Sequence, residues 1–306
     1  MQASSELANK EMSVLITGGT GFIGSALCSR LLENKHNITV LTRRPKPLKA
    51  PLYGINELEQ LANDAAFDVV INLAGEPIAD KRWSDKQKQR ILSSRLDTTQ
   101  KLINYFKATK HKPGVFISGS AIGYYGVGET DDAIDESAEG DDSFSSQLCQ
   151  RWETIALQAQ TLGIRTCLLR TGIVLGKGGG ALSKMLLPFK LGLGGRMGKG
   201  THWMPWIHLD DLVGIILHCI QHDDVNGPIN STSPSPVTNQ TFTKTLGKVL
   251  KRPTIFPMPA FVIKLLMGQM GEELLLAGKK ILPVKALSLS YQFRYKDLES
   301  ALLGTI

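Results

Sequence analysis

Val14-Leu15-Ile16-Thr17-Gly18-Gly19-Thr20-Gly21-Phe22-Ile23-Gly24-Ser25-Ala26-Leu27 opens as a β-branched apolar run and passes through spaced glycines into a helical pattern. The run has the residue types of a buried strand, and Phe22, Ile23, Ala26, Leu27 and Leu31 fall on one face of the helix that follows. Gly18 can take the backbone angles of a tight turn, Gly21 has no Cβ to hold a pyrophosphate away, and Gly24 lets the helix lie close against the strand. The amides freed at the helix start then face phosphates, where the helix dipole also favours negative charge. A strand, a glycine turn and a helix in this order predict a dinucleotide-binding site; a glycine-rich turn without a ligand is the alternative.

Outward from this unit, strand-like and helix-like patterns alternate from Ser13 to about Cys219. Strands are expected at 13–17, 37–42, 68–73, 114–119 and 165–170, with helices near 22–34, 56–65, 84–109 and 143–162 between them. Such alternation is the signature of an α/β fold, here a Rossmann-type doubly wound parallel sheet with helices on both faces. The acidic, Gly-rich segment 123–142 is long enough to be a functional loop. After Arg170 the composition shifts to Gly-rich stretches and then Trp203-Met204-Pro205-Trp206-Ile207-His208. A helix from Leu209 carries Leu212, Val213, Ile216, Leu217 and Ile220 on one stripe and is expected to return to the main domain. Pro-bounded helices are expected near 238–250 and 260–277. The domain reading is therefore a disordered leader at 1–11, a dinucleotide-binding domain at 12–175 rejoined by 208–225, and a small C-terminal α/β substrate lobe from 176–207 and 226–306.

With 306 residues, 42% of them hydrophobic, the chain can bury an ordinary core. Its four cysteines lie far apart without metal-ligand spacing, so they read as reduced core thiols; no metal is expected, and a reducing, cytoplasmic compartment fits. No apolar run reaches the roughly 18 residues of a membrane span, and no membrane partner is expected. The formal charge of +7 comes from scattered Lys and Arg, many next to acids, which argues against nucleic acid and for an anionic small molecule.

The second predicted strand ends Leu41-Thr42-Arg43-Arg44, where an NAD-preferring protein places a carboxylate on the ribose hydroxyls. Guanidinium groups there attract a 2′-phosphate, so the cofactor is read as NADP(H), with Arg43 the stronger candidate; a solvated surface pair before Pro45 is the alternative. The run Val69-Val70-Ile71-Asn72-Leu73-Ala74-Gly75 is another strand ending in small residues, which let a nucleotide approach the backbone.

Together, GGTGFIG at 18–24, NLAG at 72–75, SGSAIGYYG at 118–126 and PWIHLDDL at 205–212 resemble the extended short-chain dehydrogenase/reductase superfamily. NLAGEPIADKRW at 72–83, SSRLDTTQ at 93–100, RTGIVLGKGGGAL at 170–182 and PFKLGLGG at 188–195 bring the resemblance closer to its atypical branch of epimerase family proteins, family 39U. The resemblance covers the chain from Met12 onward. It implies NADPH at the carboxyl edge of the sheet, a small-molecule substrate, a monomer or homodimer, and an oxidoreductase or nucleotide-sugar epimerase activity. By matching position it implicates Thr42 and Arg43 near the adenosine phosphate, Leu73 and Ala74 along the cofactor, and Arg95 beside it. Thr20, Phe22, Ile23, Gly75, Ser118 and Ile173 complete the candidate cofactor set. On its own spacing, Arg95 is equally readable as a boundary residue between Leu92 and Leu96.

The wider superfamily works with a serine that positions the substrate oxygen, a tyrosine that exchanges a proton with it, and a lysine that lowers the tyrosine pKa. Ser120 matches the serine. The Tyr-x-x-x-Lys pair is missing: anchoring the next helix on Glu153 puts Ser145 at the tyrosine position and Cys149 at the lysine position. A hydroxyl is a far weaker acid than a phenol, and a thiol without a nearby cation stays protonated. Tyr124 and Tyr125 are substitutes that otherwise pack the loop on the sheet. His202 titrates near neutrality and is a candidate acid or base, whereas His208, just before a helix, reads rather as a cap. The candidate catalytic set is Ser120, Tyr124 and His202. A non-catalytic NADPH-binding redox sensor or regulatory protein is the competing reading.

Overall fold

A computed structural model describes residues 11–43, 52–61 and 65–306. The strands in chain order are β1 (Ser13–Thr17), β2 (Asn37–Leu41), β3 (Leu52–Ile55), β4 (Val69–Asn72), β5 (Val115–Ala121), β6 (Ala133–Ile134), β7 (Arg165–Thr171), β8 (Ile173–Leu175), β9 (Trp203–Met204), β10 (Trp206–His208), β11 (Gly227–Ser231), β12 (Val237–Thr238) and β13 (Lys280–Ile281). Seven of them form one parallel sheet in the order β11-β7-β5-β4-β1-β2-β3. The chain leaves β1 toward β2 on one side and returns at β4 on the other, which opens a crevice at the carboxyl ends of β1 and β4.

The continuous apolar runs of β1 and β4 follow from burial on both faces. Val14, Ile16, Val69, Ile71 and Ile117 point to one face, under α1 (Phe22–Glu33) and, later in the chain, the helix Leu209–Gln221. Leu15, Val70, Phe116 and Leu168 point to the other, under α2 (Asp85–Ala108) and α3 (Phe144–Leu157). The helices after these are α4 (Gly180–Lys190), α5 (Leu209–Gln221), α6 (Asn239–Leu250), α7 (Ala260–Met267), α8 (Gln269–Leu275), α9 (Val284–Ser288) and α10 (Leu298–Leu303). α4, α6 and α10 build a separate core around Trp206, Phe242 and Leu246, the centre of the small lobe. α5 does return to the main domain, on the same face as α1.

Three expectations are corrected. The helix expected at 56–65 is instead β3 followed by a single 3₁₀ turn at Leu58–Gln60, with 62–64 outside the described residues. β3 is a short edge strand pairing with β2, and Gly54 within it weakened its pattern. Residues 227–231, assigned by sequence to the small lobe, pair with β7 as the seventh strand of the main sheet. Pro228 is tolerated there because β11 lies at the edge. The single helix expected at 260–277 is two, α7 and α8, broken at Gly268 with φ +57°.

His208 joins the two lobes and caps α5, its Nδ1 accepting from the Asp210 backbone N–H at 3.1 Å. Burial pulls its pKa below the ordinary value, against the opposing pull of Asp210 and Asp211. The folded state therefore binds fewer protons than the unfolded, so the stability held by this group is fully present above about pH 6.5 and is lost as pH falls through the folded value. His36, His202 and His218 shift in the same direction, also by burial. Urea denaturation between about pH 7.5 and 5 should show stability falling with acid, and falling less steeply in His208→Asn, whose side chain caps without titrating.

Candidate active site

The carboxyl ends of β1, β2 and β4 open into a cleft of about 1500 Å³, lined on one side by Gly18, Thr20, Gly21, Thr42 and Arg43 and on the other by Leu73, Ala74 and Gly75. Gly18 has φ +73°, and a Cβ there would lie 2.7 Å from the Leu73 carbonyl, so only glycine permits this turn against β4. At Gly24 a Cβ would lie 2.2 Å from the Gly18 carbonyl oxygen, which fixes α1 tight against the turn and brings the positive end of the helix, capped by Gly21, to the edge of the cleft. Arg43 is exposed and forms no ion pair among the described residues. Arg44 lies outside the described residues. Glu57, a carboxylate on the same wall, is turned to cap the 3₁₀ turn.

Under this crevice runs a buried polar chain whose members lie far apart in the sequence. Thr17 Oγ1 donates to Asn72 Oδ1 at 2.6 Å, Asn72 Nδ2 donates to Thr99 Oγ1 at 2.8 Å, and Trp152 Nε1 donates to the same oxygen at 2.9 Å. The Ala74 amide donates back to Thr17 Oγ1 at 3.2 Å. Because unsatisfied buried polar groups are costly, this chain holds the 73–75 segment at one height over β1.

The remaining cofactor candidates do not line the cleft. Phe22 is bracketed by Gly176, Gly179 and Gly180, where any Cβ would meet its ring, so the glycine-rich stretch after β8 is a seat for this aromatic. Ile23 packs on the core beneath α1. Ser118 is buried within β5, its hydroxyl on the Gly119 carbonyl at 3.4 Å, and Ile173 lies in β8, paired with Trp206 of β10. Arg95 sits behind Gly75, with Nη1 donating to the Glu76 carbonyl at 3.0 Å and its guanidinium 5.3 Å from the Trp152 ring. It is thus a brace for the cleft wall, and burial lowers its pKa.

At the ends of β5 and β7 the side chains are bound to one another. Glu153 and Arg170 form a buried bidentate ion pair, Nε to Oε1 at 2.9 Å and Nη2 to Oε2 at 2.9 Å. Ser120 Oγ donates to Glu153 Oε1 at 2.6 Å, and Arg170 Nη1 donates to Tyr125 OH at 3.0 Å, which in turn donates to Asn230 Oδ1 at 2.6 Å. The Tyr124 ring lies over the Arg170 guanidinium, 3.4 Å from centroid to Cζ. Burial pushes the Tyr125 phenol up to about 12, against the pull of Arg170. Ser120 and Tyr124 are therefore brought together by one ion pair. His202 stands apart, buried near Glu129, which opposes the lowering of its pKa by burial.

Residues 14–230 match the family model described as NAD dependent epimerase/dehydratase family, and a domain of unknown function, DUF1731, matches 258–303. The chain belongs to the NAD dependent epimerase/dehydratase family. Human epimerase family protein SDR39U1 is 37% identical over 295 residues, covering 95% of this chain and 98% of its own. Epimerase family protein YfhF of Bacillus subtilis is 36% identical over 298 residues, with 95% and 97% covered. The crystal structure of human SDR39U1 (isoform 2) with NADPH superposes with a TM-score of 0.88 at 36% identity, over 96% of this chain and 98% of that one.

In this member of the epimerase/dehydratase family, the two positions that lack Tyr and Lys are filled by internal contacts. Ser145 Oγ donates to Glu273 Oε2 at 2.7 Å, and the same carboxylate accepts from the Ser145 amide at 3.0 Å and the Phe144 amide at 3.3 Å. A carboxylate of α8 thus caps the positive end of α3. Burial, with Glu153 adding to it, raises the Cys149 thiol to about 11, so it is neutral near pH 7. Among the described residues no group of His, Cys, Asp or Glu could hold a metal ion, and no helix is long and apolar enough to cross a membrane.

Glu273 came from a part of the sequence with no local signal. Arg170 had one: a guanidinium among Leu168, Leu169 and Thr171 in a buried strand requires a buried partner. Removing that partner in Glu153→Gln should cost about 3–5 kcal/mol, because Arg170 is left charged and buried. Urea denaturation of Glu153→Leu, Arg170→Met and the double variant should show the double losing much less than the sum of the singles.

Proposed function

We propose that this chain binds NADP(H), with the adenosine end between Arg43 and the glycine turn, and uses it in hydride transfer to or from a small substrate at the small lobe. The observation that carries the cofactor half is Arg43: the end of β2 presents a guanidinium with no ion-pair partner among the described residues, and Thr42, to the cleft where an NAD-preferring site presents a carboxylate. The NADPH bound to human SDR39U1, at TM-score 0.88, supports the same choice. The turn at Gly18 and Gly21, the amides of α1 and the wall at Leu73 and Ala74 would hold the pyrophosphate and ribose. A nicotinamide dinucleotide bound there would supply the hydride in the reductive direction and accept it in the oxidative one.

For the proton, Ser120 donates to Glu153 and keeps lone pairs with which to accept a hydrogen bond from a substrate hydroxyl. Tyr124, held on Arg170, is the candidate phenolic acid, while Tyr125 is too weak an acid at about 12. His202 stands apart from Ser120 and Tyr124 and from the cleft lining among the described residues, which leaves it outside the proposed proton transfer. A second reading, a non-catalytic NADPH-responsive regulator, is favoured by the Ser145–Glu273 contact and the neutral Cys149 thiol, which leave the usual proton-transfer positions without an acid or base.

Nicotinamide fluorescence titrations with NADPH and NADH, in the natural protein and in Arg43→Ala, test the cofactor half. One charge-assisted hydrogen bond to a phosphate is worth about 1.5–3 kcal/mol, so the variant should bind NADPH roughly tenfold or more weakly with NADH little changed. Binding of neither nucleotide would remove the basis of the proposal. Ser120→Ala and Tyr124→Phe then separate the two readings. An enzyme keeps NADPH affinity and loses turnover in a reductant-coupled substrate screen, whereas a regulator shows no turnover to lose.

A further inference from the structure

α7 reads Ala-Phe-Val-Ile-Lys-Leu-Leu-Met, apolar around nearly its whole circumference, and yet Ile263 is its only buried residue. Phe261, Leu265 and Leu266 are 70%, 72% and 63% exposed. A helix of this composition belongs against other apolar matter. The same condition holds on the chain beside it. Leu187, Leu191 and Leu193, at the end of α4 and in the turn after it, are exposed, as are Ile255 and Phe256 in the extended segment between α6 and α7. These stretches adjoin: the Met258 amide donates to the Arg196 carbonyl at 2.9 Å, Gly198 donates back to the Met258 carbonyl at 2.9 Å, and Arg252 Nε donates to the Lys190 carbonyl at 2.8 Å. These bonds bring the turn after α4 beside the segment that leads into α7, so the three stretches together expose more apolar side chains than the scattered leucines of ordinary surfaces.

Charge decides what covers it. From Thr154 to Leu209, and again from Val225 to Gly271, the sequence contains no Asp or Glu. The carboxylates that neutralise cations of these stretches come from elsewhere: Asp80 on Lys184, Glu299 on Lys248 and Glu272 on Lys264. Lys190, Arg196, Lys199, Lys251 and Arg252, all exposed around the apolar face, have no carboxylate partner among the described residues. A second copy of this chain, paired face to face, would oppose these cations to themselves. An anionic layer with an apolar interior satisfies both the cations and the side chains between them.

We propose that this face of the small lobe docks on an anionic lipid bilayer, with Phe261, Leu265 and Leu266 at the boundary between headgroups and acyl chains and the Lys and Arg side chains on the headgroups. The association is peripheral.

Flotation of the full chain with vesicles tests it, using phosphatidylcholine alone and phosphatidylcholine mixed with phosphatidylglycerol. The chain should bind the mixed vesicles, bind neutral ones about tenfold less or worse, and detach as salt rises. Phe261→Ser with Leu265→Ser, and separately Lys190→Glu with Lys199→Glu, should each lower binding about tenfold or more at unchanged Tm, since all four side chains are exposed. Binding to neither vesicle, or equal binding to both with the charge variant unaffected, would overturn the proposal. So would a stable homodimer in light scattering that Phe261→Ser dissociates, because a second copy would then be what covers the face.

Discussion

The buried ion pair between Glu153 and Arg170 is the contact on which the closed side of the sheet's carboxyl edge depends. Through Ser120, Tyr125, Asn230 and the Glu136 carbonyl it joins β5, α3, β7, β11 and the loop after β5 at their carboxyl ends. Two charges withdrawn from water are tolerable only with this many partners, since the attraction between them must outweigh the desolvation of each. The arrangement in turn dictates where its neighbours can go. Tyr124 has its ring over the guanidinium, and the Ser120 hydroxyl is oriented toward a carboxylate rather than left free.

This constraint divides the carboxyl edge of the sheet into two halves with different character. Around β1, β2 and β4 the edge is open: glycine where a Cβ would strike the neighbouring strand, the start of a helix, and a guanidinium with no ion pair among the described residues. Around β5 and β7 the edge is closed by internal bonds, and the helix that carries tyrosine and lysine in the wider superfamily here carries Ser145 under Glu273 and a neutral Cys149. Nucleotide binding depends on backbone geometry, which is kept. Proton transfer depends on particular side chains with particular pKa values, and those have been exchanged.

What was legible in the sequence follows the same division. The glycine turn, the strands buried on both faces and the amphipathic α5 are written in local pattern, so the doubly wound sheet and the open half of the edge could be read directly. β3 and β11 were missed because each is short, lies at an edge and contains a residue, Gly54 or Pro228, that breaks strand patterns. Phe22 stood in the candidate cofactor set at the start of the helix after the turn, whereas its surroundings are set by glycines more than 150 residues away. The Ser145–Glu273 contact spans 128 residues and had no local trace. Pairings across such distances are fixed by how the lobes come together, not by spacing.

Hydrogen–deuterium exchange with and without saturating NADPH locates binding at the open half of the edge most directly. Slower exchange should appear at amides of Gly18–Gly24 and of Leu73–Glu76, with the exposed segment 251–266 unchanged. Exchange at both turn segments that is indifferent to NADPH, while some other region responds, would contradict the account.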